Sequence, residues 1–508
     1  MRIKYLERRI NPMGKQKAKA QKRAKTLHKA LACVVPANHI KVERAKAVLA
    51  PYQDAMVFFI HHMNRQLLMG EYIVPHTSLK PADLKTPMNA RYVQEAYTQA
   101  HSAFTSYLGW LTRKVRGLIT DSPLDDGTKT LFYRLNHQKA WYKKTVELEW
   151  DVTPNGELLV PIGKTPQKGN MRISKAVDAE ELWLMRRLVK RAKQWISLPN
   201  LSHVTSINLS AQTMELQPSR NSFAFWLNLS TLEKGKRVLL PLSRNHYLEQ
   251  ELKKGKLNKQ VQVKFKEDGT ITVSPIVEQE TTKLRTEGDA LGLDWGMVNL
   301  FTTSDGRRLG GKILQKLRIY DKLLMEIQKE LQQKKEPLKK NPEYQRLQSK
   351  IRSLVKNEIG RVLNNLAKED LKELVVEKLN FAGGSMSRTM NRLLTRAGRK
   401  ALKDKLVRLN EEQGVTITEV QAAYTSQMCA HCGYVDRKNR PNQKTFHCQC
   451  CGHTCNADVN AAFNILQRRS LKISLSSRSD KRKTLKERLL EAHSKMCPSG
   501  KHLSMVSL

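Results

Sequence analysis

Two C-x-x-C pairs in the last quarter of the chain are the residues whose spacing points most directly to chemistry. Cys429 and Cys432 form the first pair, Cys448 and Cys451 form the second, and 15 residues separate the pairs. Two short turns that each present a pair of thiolates supply the closed, tetrahedral ligand set of a structural zinc ion. The spacing therefore predicts one structural Zn²⁺ held by these four cysteines.

Neighbouring side chains leave the fourth ligand open to alternatives. Cys450 and Cys455 lie beside the second pair and could each replace one of its members. Three histidines could do the same, namely His431, His447 and His453. A pair of disulfides or a set of unrelated thiols is the other interpretation, which a reducing compartment disfavours.

Three acidic residues stand alone in or beside apolar segments. Asp294 ends the strand-like run 290–296, and Glu377 lies in the similar run 374–379. Asp458 falls in the first turn of a short helix that the apolar spacing after Asn456 predicts. An acid inside an apolar strand costs free energy unless it is paired or binds a cation. That cost favours a functional role for these residues.

Carboxylates that converge from separate elements repel one another unless divalent cations hold them, and hard oxygen ligands of this kind suit Mg²⁺. Two such ions would activate water and stabilise the leaving oxygen in phosphodiester cleavage. We therefore expect a two-Mg²⁺ site formed by Asp294, Glu377 and Asp458. The alternative is three unrelated structural acids, among which Asp458 would merely favour the start of its helix.

The charge of the chain identifies the class of partner. Its 508 residues contain 90 Lys and Arg against 47 Asp and Glu, which gives a net charge of +43 and a pI of about 10.0. An excess of this size favours a densely negative partner, and nucleic acid is the best candidate. The apolar runs are too short to span a bilayer, so no membrane partner is expected. We expect a cytoplasmic protein, since the N-terminus has no secretory h-region.

In the first half of the chain, the spacing of the apolar residues changes from helical to strand-like. Residues 1–39 form a basic arm, and residues 40–142 show helical spacing that predicts a small helical bundle. Aromatic residues of such a bundle lie more often in its core than on a surface that stacks bases. Those of this bundle include Tyr92, Tyr97, Phe104, Tyr107 and Trp110. Residues 143–286 alternate with period two around Asn155-Gly156 and Asp268-Gly269 and predict a β-rich, barrel-like domain with a helical insertion.

The second half carries the acids and the cysteines. Residues 287–423 contain the two acid-bearing strands and, over 312–370, a predicted helical hairpin. The cysteine region follows over 424–455, the helix with Asp458 over 456–467, and a basic tail over 468–508 that we expect to be disordered or locally helical.

The order of these motifs resembles a known family. GLDWG, VVEKLNF, YTSQMCAHCG, FHCQCCG and NADVNAAFNIL follow one another between Asp289 and Leu466. This series is similar to the split RuvC-like core of the transposon-encoded TnpB proteins and of the compact type V CRISPR effectors (Cas12-like). The resemblance implies an α+β multidomain chain with an RNase H-like (RuvC) core and an inserted zinc ribbon. It also implies a recognition lobe over 40–142 and a wedge domain over 143–286, and the wedge domain would begin in the basic arm.

The resemblance also implies an activity and partners. Asp294, Glu377 and Asp458 would be the catalytic, magnesium-binding triad of an RNA-guided DNA endonuclease that reads a short adjacent motif in its target. The expected partners are a guide RNA, double-stranded target DNA and the displaced single strand, with a monomer or a dimer on the RNA. A CRISPR-associated or intermediate form is favoured because the N-terminal half is long. The alternatives are a guided repressor that does not cut and an unguided transposase or resolvase.

Overall fold

The structure is a computed structural model. The residues that it describes are 26–71, 73, 84–159, 169–296, 299–338, 341–378, 398–442, 444–469, 487, 489–490 and 493. They divide into two compact units between Gln279 and Glu280. The predicted basic arm, except for its last residues, and most of the predicted basic tail lie outside the described residues.

The described part of unit 1 contains six helices. Their bounds are α1 His39–Lys46, α2 Leu49–Met69, α3 Ala90–Thr120, α4 Asp126–Gln138, α5 Ala179–Lys193 and α6 His246–Leu252. Helices α2 and α3 pack side by side and bury one face of each helix. Tyr92, Phe104 and Tyr107 lie in this core as expected, whereas Trp110 is exposed because it lies on the outward face of α3.

The strands of unit 1 form three sheets. Their bounds are β1 Thr26–Ala30, β2 Cys33–Val35, β3 Glu147–Val152, β4 Leu158–Leu159, β5 Met171–Ala176, β6 Ser206–Ser210, β7 Met214–Pro218, β8 Phe223–Ser230, β9 Arg237–Ser243, β10 Lys256–Phe265 and β11 Ile271–Glu280. One sheet has the order β1-β11-β10-β6, with β2 also paired to β11. The other two have the orders β4-β3-β5 and β7-β8-β9. The hairpin predicted at Asp268-Gly269 joins β10 to β11.

The prediction of a barrel-like domain is wrong, because none of the sheets in the described part of unit 1 closes on itself. Side chains of α3 take the place of a closing strand at the edge strand β6. Gln99 accepts a hydrogen bond from the Asn208 backbone N–H at 3.0 Å and donates one to the Ser206 carbonyl at 2.9 Å. Glu95 accepts one from the Ser210 N–H at 2.7 Å. Backbone groups at an open sheet edge are thereby satisfied without another strand.

Unit 2 is built on a five-stranded sheet with the order β14-β13-β12-β15-β16. Its strands are β12 Asp289–Trp295, β13 Phe301–Thr303, β14 Arg308–Leu309, β15 Leu371–Glu377 and β16 Thr416–Val420. Strands β12, β15 and β16 run parallel to one another, and β13 and β14 extend the sheet as an antiparallel meander. The strands predicted around Asp294 and Glu377 are therefore neighbours in one sheet.

In the described part of unit 2, four helices with complete bounds accompany this sheet. They are α7 Gly311–Gln333, α8 Pro342–Lys368, α9 Arg399–Gln413 and α10 Ala457–Gln467. Helices α7 and α8 pack together, and α8 also contacts α9. Their apolar faces share a core with β12 and β15, in which Leu317, Val355, Leu374 and Leu409 are buried. Helix α9 ends as predicted at Gly414, whose φ of 71° is in the left-handed region.

The cysteine region is a small module with little regular structure. Strands β17 Thr445–His447 and β18 Thr454–Asn456 pair in an antiparallel fashion, and a 3-10 helix spans Arg437–Asn439. The seven cysteines that the structure describes are free thiols, so no disulfide joins the two pairs. Among the described helices, none is long and apolar enough to cross a membrane.

Candidate active site and metal centre

The two C-x-x-C pairs adopt the same local fold. In the first turn the Cys429 N–H donates to the Tyr434 carbonyl at 2.9 Å and Gly433 N–H donates to the Cys429 carbonyl at 2.9 Å. In the second, Cys448 N–H donates to the His453 carbonyl at 2.9 Å and Gly452 N–H to the Cys448 carbonyl at 3.0 Å. Gly433 and Gly452 both have positive φ, of 77° and 69°, which lets each turn close behind its second cysteine.

These turns bring the four sulfur atoms together. The Sγ atoms of Cys429 and Cys451 are 3.7 Å apart, those of Cys432 and Cys448 are 3.6 Å apart, and all four lie within 4.8 Å of one another. Backbone N–H groups of Cys450 and Cys451 also point at the Cys448 sulfur, at 3.4 and 3.5 Å. A compact set of four thiols with N–H donors around it fits a tetrahedral zinc site.

The electrostatics of the cluster lead to the same interpretation. A hydrogen bond from Cys432 lowers the pKa of Cys429 to about 4, and the same bond, together with burial, raises the pKa of Cys432. Burial is the main reason that the pKa of Cys448 rises to about 12. Without a cation, the cluster can therefore hold one thiolate that its neighbours stabilise, whereas four thiolates would repel one another. A divalent metal ion removes that repulsion.

The other candidate ligands lie outside this set. The rings of His431 and His453 stack on each other with centroids 5.6 Å apart, and His447 hydrogen-bonds to Thr454. Cys450 is exposed, and its sulfur lies 3.6 Å from His493 Nε2. Burial raises the pKa of the Cys455 thiol. These positions favour the four cysteines of the two pairs as the zinc ligands.

Asp294 and Glu377 occupy corresponding positions on adjacent strands. Strands β12 and β15 are parallel, and their register pairs Leu293 with Val376, the residues that immediately precede the two acids. Since neighbouring parallel strands end at the same edge of a sheet, both carboxylates lie at one edge. The sequence could predict the two strands but not this register.

Asp458 reaches the same edge because helix α10 lies directly on β12. Asn456 caps the helix by accepting hydrogen bonds from the N–H groups of Asp458 and Val459, at 3.1 and 3.2 Å. A Cβ atom at Gly292 would lie 2.1 Å from the Ala462 carbonyl oxygen, so only glycine permits this approach of helix to strand. Gly292, the first glycine of the GLDWG motif, thus helps to place the third acid.

The three carboxylates influence one another electrostatically. Burial and the charges of Glu377 and Asp458 raise the pKa of Asp294 well above its usual range. Burial also raises the pKa of Glu377, although a hydrogen bond from Thr425 and the charge of Arg468 oppose that rise. The oxygens of all three acids do not come within 4.8 Å of one another, as the four sulfurs do. Three partly buried carboxylates, two of which raise the pKa of the third, fit hard divalent cations.

Arg440 is a site residue that sequence reasoning missed. Its guanidinium Nη2 donates to Asp458 Oδ1 at 3.1 Å, and its charge opposes the rise in the pKa of Asp294. Arg440 follows the 3-10 helix of the cysteine region, so a cation from that region lies among the acids. Its signal in the sequence is weak, because it is one of 90 Lys and Arg residues.

Arg468 and Thr425 were also missed. Thr425 is buried and donates a hydrogen bond to Glu377 Oε1. Arg468 is buried as well, and it donates from Nη1 to the Gln421 carbonyl at 2.6 Å. Burial lowers the pKa of Arg468 to about 10, although the charge of Glu377 opposes that shift. A buried hydroxyl thus orients the second acid, and the charge of a buried cation favours its ionised form.

Two asparagines one turn apart fasten helix α10 to the first cysteine turn. Asn460 donates to the Met428 carbonyl at 2.8 Å and accepts from the Ala430 N–H at 2.9 Å. Asn464 donates to the carbonyls of Thr425 and Met428, at 2.8 and 2.7 Å. Both side chains are fully buried. The metal centre and the helix with Asp458 therefore form one connected structure.

A cavity of about 210 Å³ lies beside Glu377. Its apolar wall includes Trp295, Phe301 and Leu406. Charged side chains of both signs also line it, namely Lys378 and Lys403 together with Glu419.

The described residues form an α+β protein of several parts with a four-cysteine cluster, and parts of the chain are similar to known proteins. Residues 400–465 match the family model described as Cas12f1-like, TNB domain. These residues contain the cysteine region, Asp458 and most of its helix. The family resemblance found in the sequence is thus confirmed for TnpB proteins and compact Cas12 effectors.

Particular relatives share parts of the chain. InsQ of Escherichia coli (strain K12), described provisionally as an RNA-guided DNA endonuclease, is 30% identical over 206 residues, which are 37% of this chain and 50% of InsQ. A CRISPR-associated endodeoxyribonuclease Cas12f1 of Sulfoacidibacillus thermotolerans is 44% identical over 64 residues, 13% of this chain and 15% of that protein. The chain therefore matches about half the length of InsQ and less of Cas12f1.

A solved structure is similar over more of the chain. A cryo-EM structure of a Cas12f1-sgRNA-target DNA complex covers 87% of this chain and 99% of its own, with 15% identity and a TM-score of 0.41.

Proposed function

We propose that this chain is an RNA-guided DNA endonuclease with one nuclease site formed by Asp294, Glu377 and Asp458. The observation that carries the proposal is the convergence of these acids at one sheet edge from β12, β15 and α10. The names of InsQ and Cas12f1, which refer to DNA endonucleases, support the same activity. The sheet and its acids support an RNase H-like core over 287–423 and 456–467.

The three acids would hold two Mg²⁺ ions, which activate water and neutralise charge on the phosphodiester when they are bound. Asp294 and Glu377 are fixed by strand register, and Asp458 by its capped helix. Thr425 keeps Glu377 oriented, and the charge of Arg468 favours the ionised form of that acid. Arg440 lies where its guanidinium could pass from Asp458 to a phosphate oxygen of the substrate.

Zn²⁺ would be bound by Cys429, Cys432, Cys448 and Cys451 in a zinc ribbon over 424–455. Its role would be structural, because all four positions are taken by thiolates and none is open to substrate. Through Asn460 and Asn464 the ribbon would hold Asp458 in place.

The partners would be a guide RNA, double-stranded target DNA and the strand that the guide displaces. A net charge of +43 suits a protein that holds an RNA–DNA duplex by its backbone while base pairing reads the sequence. We assign the recognition lobe to the helices of residues 40–142 and the wedge domain to residues 143–286. The open sheets of unit 1 would form that wedge.

The decisive experiment is cleavage of plasmid DNA by the purified chain. RNA that copurifies with the protein is sequenced, transcribed and used to load the chain, and a target with a randomised flank is added with Mg²⁺. Cleavage is expected only with matching RNA, and Asp294→Asn, Glu377→Gln and Asp458→Asn should each lower it by about 10³-fold or more. Asp404→Asn, an exposed acid of α9, is the matched control and should cut normally.

The remaining outcomes separate the alternatives. Tight binding of matched DNA without cutting by the wild-type chain would identify a guided repressor. Cutting that survives complete removal of RNA would identify an unguided nuclease. Either result would contradict the proposal.

A further inference from the structure

Unit 1 exposes tryptophan side chains that its core does not use. Trp110 on helix α3 is 57% exposed, and Trp195, just after helix α5, is 55% exposed. Most of the other large aromatic residues of α3 are buried. Large exposed aromatic side chains are uncommon on surfaces without a partner, because each leaves much apolar area in water.

The two tryptophans are linked by a lysine. Lys114 Nζ lies 4.1 Å from the centroid of the Trp195 ring. Trp110 is on the same helix as Lys114, one turn earlier, so the two side chains are neighbours. We call Trp110, Lys114 and Trp195 the tryptophan surface. It combines two aromatic planes with one positive charge.

The surroundings of the tryptophan surface are positive. Residues 96–120 of α3 contain three Lys or Arg and no acid. Residues 182–196 contain five Lys or Arg and no acid. A second tryptophan of this segment, Trp183, is 51% exposed and lies under the guanidinium of Arg187, at 4.8 Å. The charge is complementary to a polyanion and repels a second copy of the same surface.

Helix α3 also contains glycines with free space around them, one of which adjoins Trp110. Gly109 and Gly117 lie inside the helix, and an added Cβ at either would meet nothing within 4 Å. Glycine inside a helix costs about 1 kcal/mol relative to alanine, and packing within the chain gives no reason for it here. Close approach of a ligand backbone to the helix would be such a reason.

We propose that the tryptophan surface stacks unpaired bases of the guide RNA, with Lys114 against an adjacent phosphate. This inference rests on the proposed function. Aromatic stacking tolerates any base, and a neighbouring lysine adds attraction to the backbone. The guide RNA is the chosen source because it remains bound through the reaction, whereas the displaced DNA strand must reach the carboxylates of unit 2.

The test compares pairs of substitutions in the full-length chain. Trp110→Leu with Trp195→Leu keeps apolar area but removes the aromatic planes, and Trp110→Phe with Trp195→Phe keeps both. The probe is the copurifying RNA, transcribed and labelled, and its dissociation constant is measured over a range of salt concentrations. The leucine pair should bind about 10-fold more weakly or worse, and the phenylalanine pair close to wild type.

Charge and stacking are separated by the salt dependence of binding. Lys114→Gln should lower the slope of log affinity against log salt by about one unit, since one phosphate contact is lost. Lys253→Gln, an exposed lysine at the end of α6, is the control and should leave the slope unchanged. The leucine pair should also keep the wild-type slope.

Three results would overturn the inference while the proposed function stands. The first is unchanged RNA affinity of the leucine pair. The second is unchanged RNA affinity with weaker binding of single-stranded DNA to the RNA complex, which would assign the surface to the displaced strand. The third is unchanged RNA affinity with a change of mass in light scattering, which would make it a contact between copies. A wild-type chain that binds no RNA would instead refute the proposed function.

Discussion

The Arg440 guanidinium donates a hydrogen bond to the Asp458 carboxylate at 3.1 Å, so a residue of the cysteine region lies within the acid cluster. In the absence of metal, this ion pair offsets part of the negative charge around Asp294. The same guanidinium is suited to bidentate contact with phosphate. Arg440 therefore connects the four-cysteine region to the proposed nuclease site.

Removing this guanidinium should affect cleavage more than binding. Arg440→Ala is expected to lower the cleavage rate by about 10²-fold or more, because a fixed positive charge near the phosphate is lost. Binding of RNA and zinc content should stay at wild-type levels. Arg437→Ala, an exposed arginine one turn earlier, is the matched control. Equal cleavage by Arg440→Ala and Arg437→Ala would show that Arg440 has no part in the reaction.

The two buried asparagines of α10 give a second prediction. Asn460→Ala leaves the Met428 carbonyl and the Ala430 N–H without their partner and should cost about 1–3 kcal/mol of unfolding free energy. Asn460→Asp keeps the acceptor for Ala430 but sets a buried negative charge against the Met428 carbonyl. We expect cleavage by both variants to fall below that of the wild type, with zinc retained by all three. Loss of zinc from Asn460→Ala would contradict this view of the contact.

The contact of α10 with β12 gives a third prediction. Gly292→Ala places a methyl group 2.1 Å from the Ala462 carbonyl, so the helix must move away from the strand. Unit 2 should lose about 1–3 kcal/mol of stability, and cleavage should fall more than RNA binding. Gly360→Ala, inside α8 with nothing within 4 Å of the added Cβ, should instead stabilise by about 1 kcal/mol. Similar melting temperatures for both variants would refute the close contact.

The three acids stand out in the sequence as candidates, but the contacts that arrange them do not. Asp294 and Glu377 are noticeable in the sequence because each is a single acid among apolar neighbours. No such contrast with the neighbouring residues marks Arg440, Thr425, Asn460 and Asn464. Their roles arise from contacts across 18 to 48 positions of sequence, such as Arg440 with Asp458 and Thr425 with Glu377.

Unit 1 shows the limits of periodicity in another way. Alternating residues predicted the strands β3, β8, β10 and β11, but alternation contains no information on whether a sheet closes. Closure failed at β6, where Gln99 and Glu95 bind the strand edge. Trp110 was expected in the core as one of several aromatic residues, whereas its position on the outer face of α3 follows from helix geometry.

A fourth prediction concerns the stability of the metal-free site. The raised pKa of Asp294 means that the folded state weakens as pH rises from the unfolded-state pKa through the folded-state pKa. Asp294→Asn removes this charge, so at neutral pH without divalent ions unit 2 should gain about 1–3 kcal/mol. Thermal unfolding in chelator measures the gain. Mg²⁺ should then raise the melting temperature of the wild type and not that of Asp294→Asn. A variant less stable than wild type in chelator would contradict the prediction.

A fifth prediction concerns an ion-pair cluster in unit 1. Burial alone would raise the pKa of Glu251, but hydrogen bonds from Lys29, Gln279 and Lys254 outweigh it and lower that pKa to about 2. The resulting stability is present above the unfolded-state pKa near 4.5 and is lost as pH falls towards 2.

Glu251→Gln should therefore destabilise unit 1 by about 2–4 kcal/mol at neutral pH and flatten its stability between those pH values. Glu249→Gln, on the same helix with a more exposed ion pair, should change stability by about 0.5 kcal/mol or less. Denaturant unfolding at several pH values provides the measurement. If the unfolding free energy of Glu251→Gln falls as steeply with decreasing pH as that of the wild type, Glu251 is not the origin of this pH dependence.

The most direct test of the central claim is the count of divalent ions at the three acids. Mn²⁺, used in place of Mg²⁺, is titrated into the zinc-loaded, RNA-bound chain and followed by electron paramagnetic resonance, with wild type compared with Asp294→Asn, Glu377→Gln and Asp458→Asn. Two magnetically coupled Mn²⁺ ions are expected in the wild type, with the coupled signal lost in each variant. A coupled signal that persists in the variants, or none in the wild type, would contradict the claim.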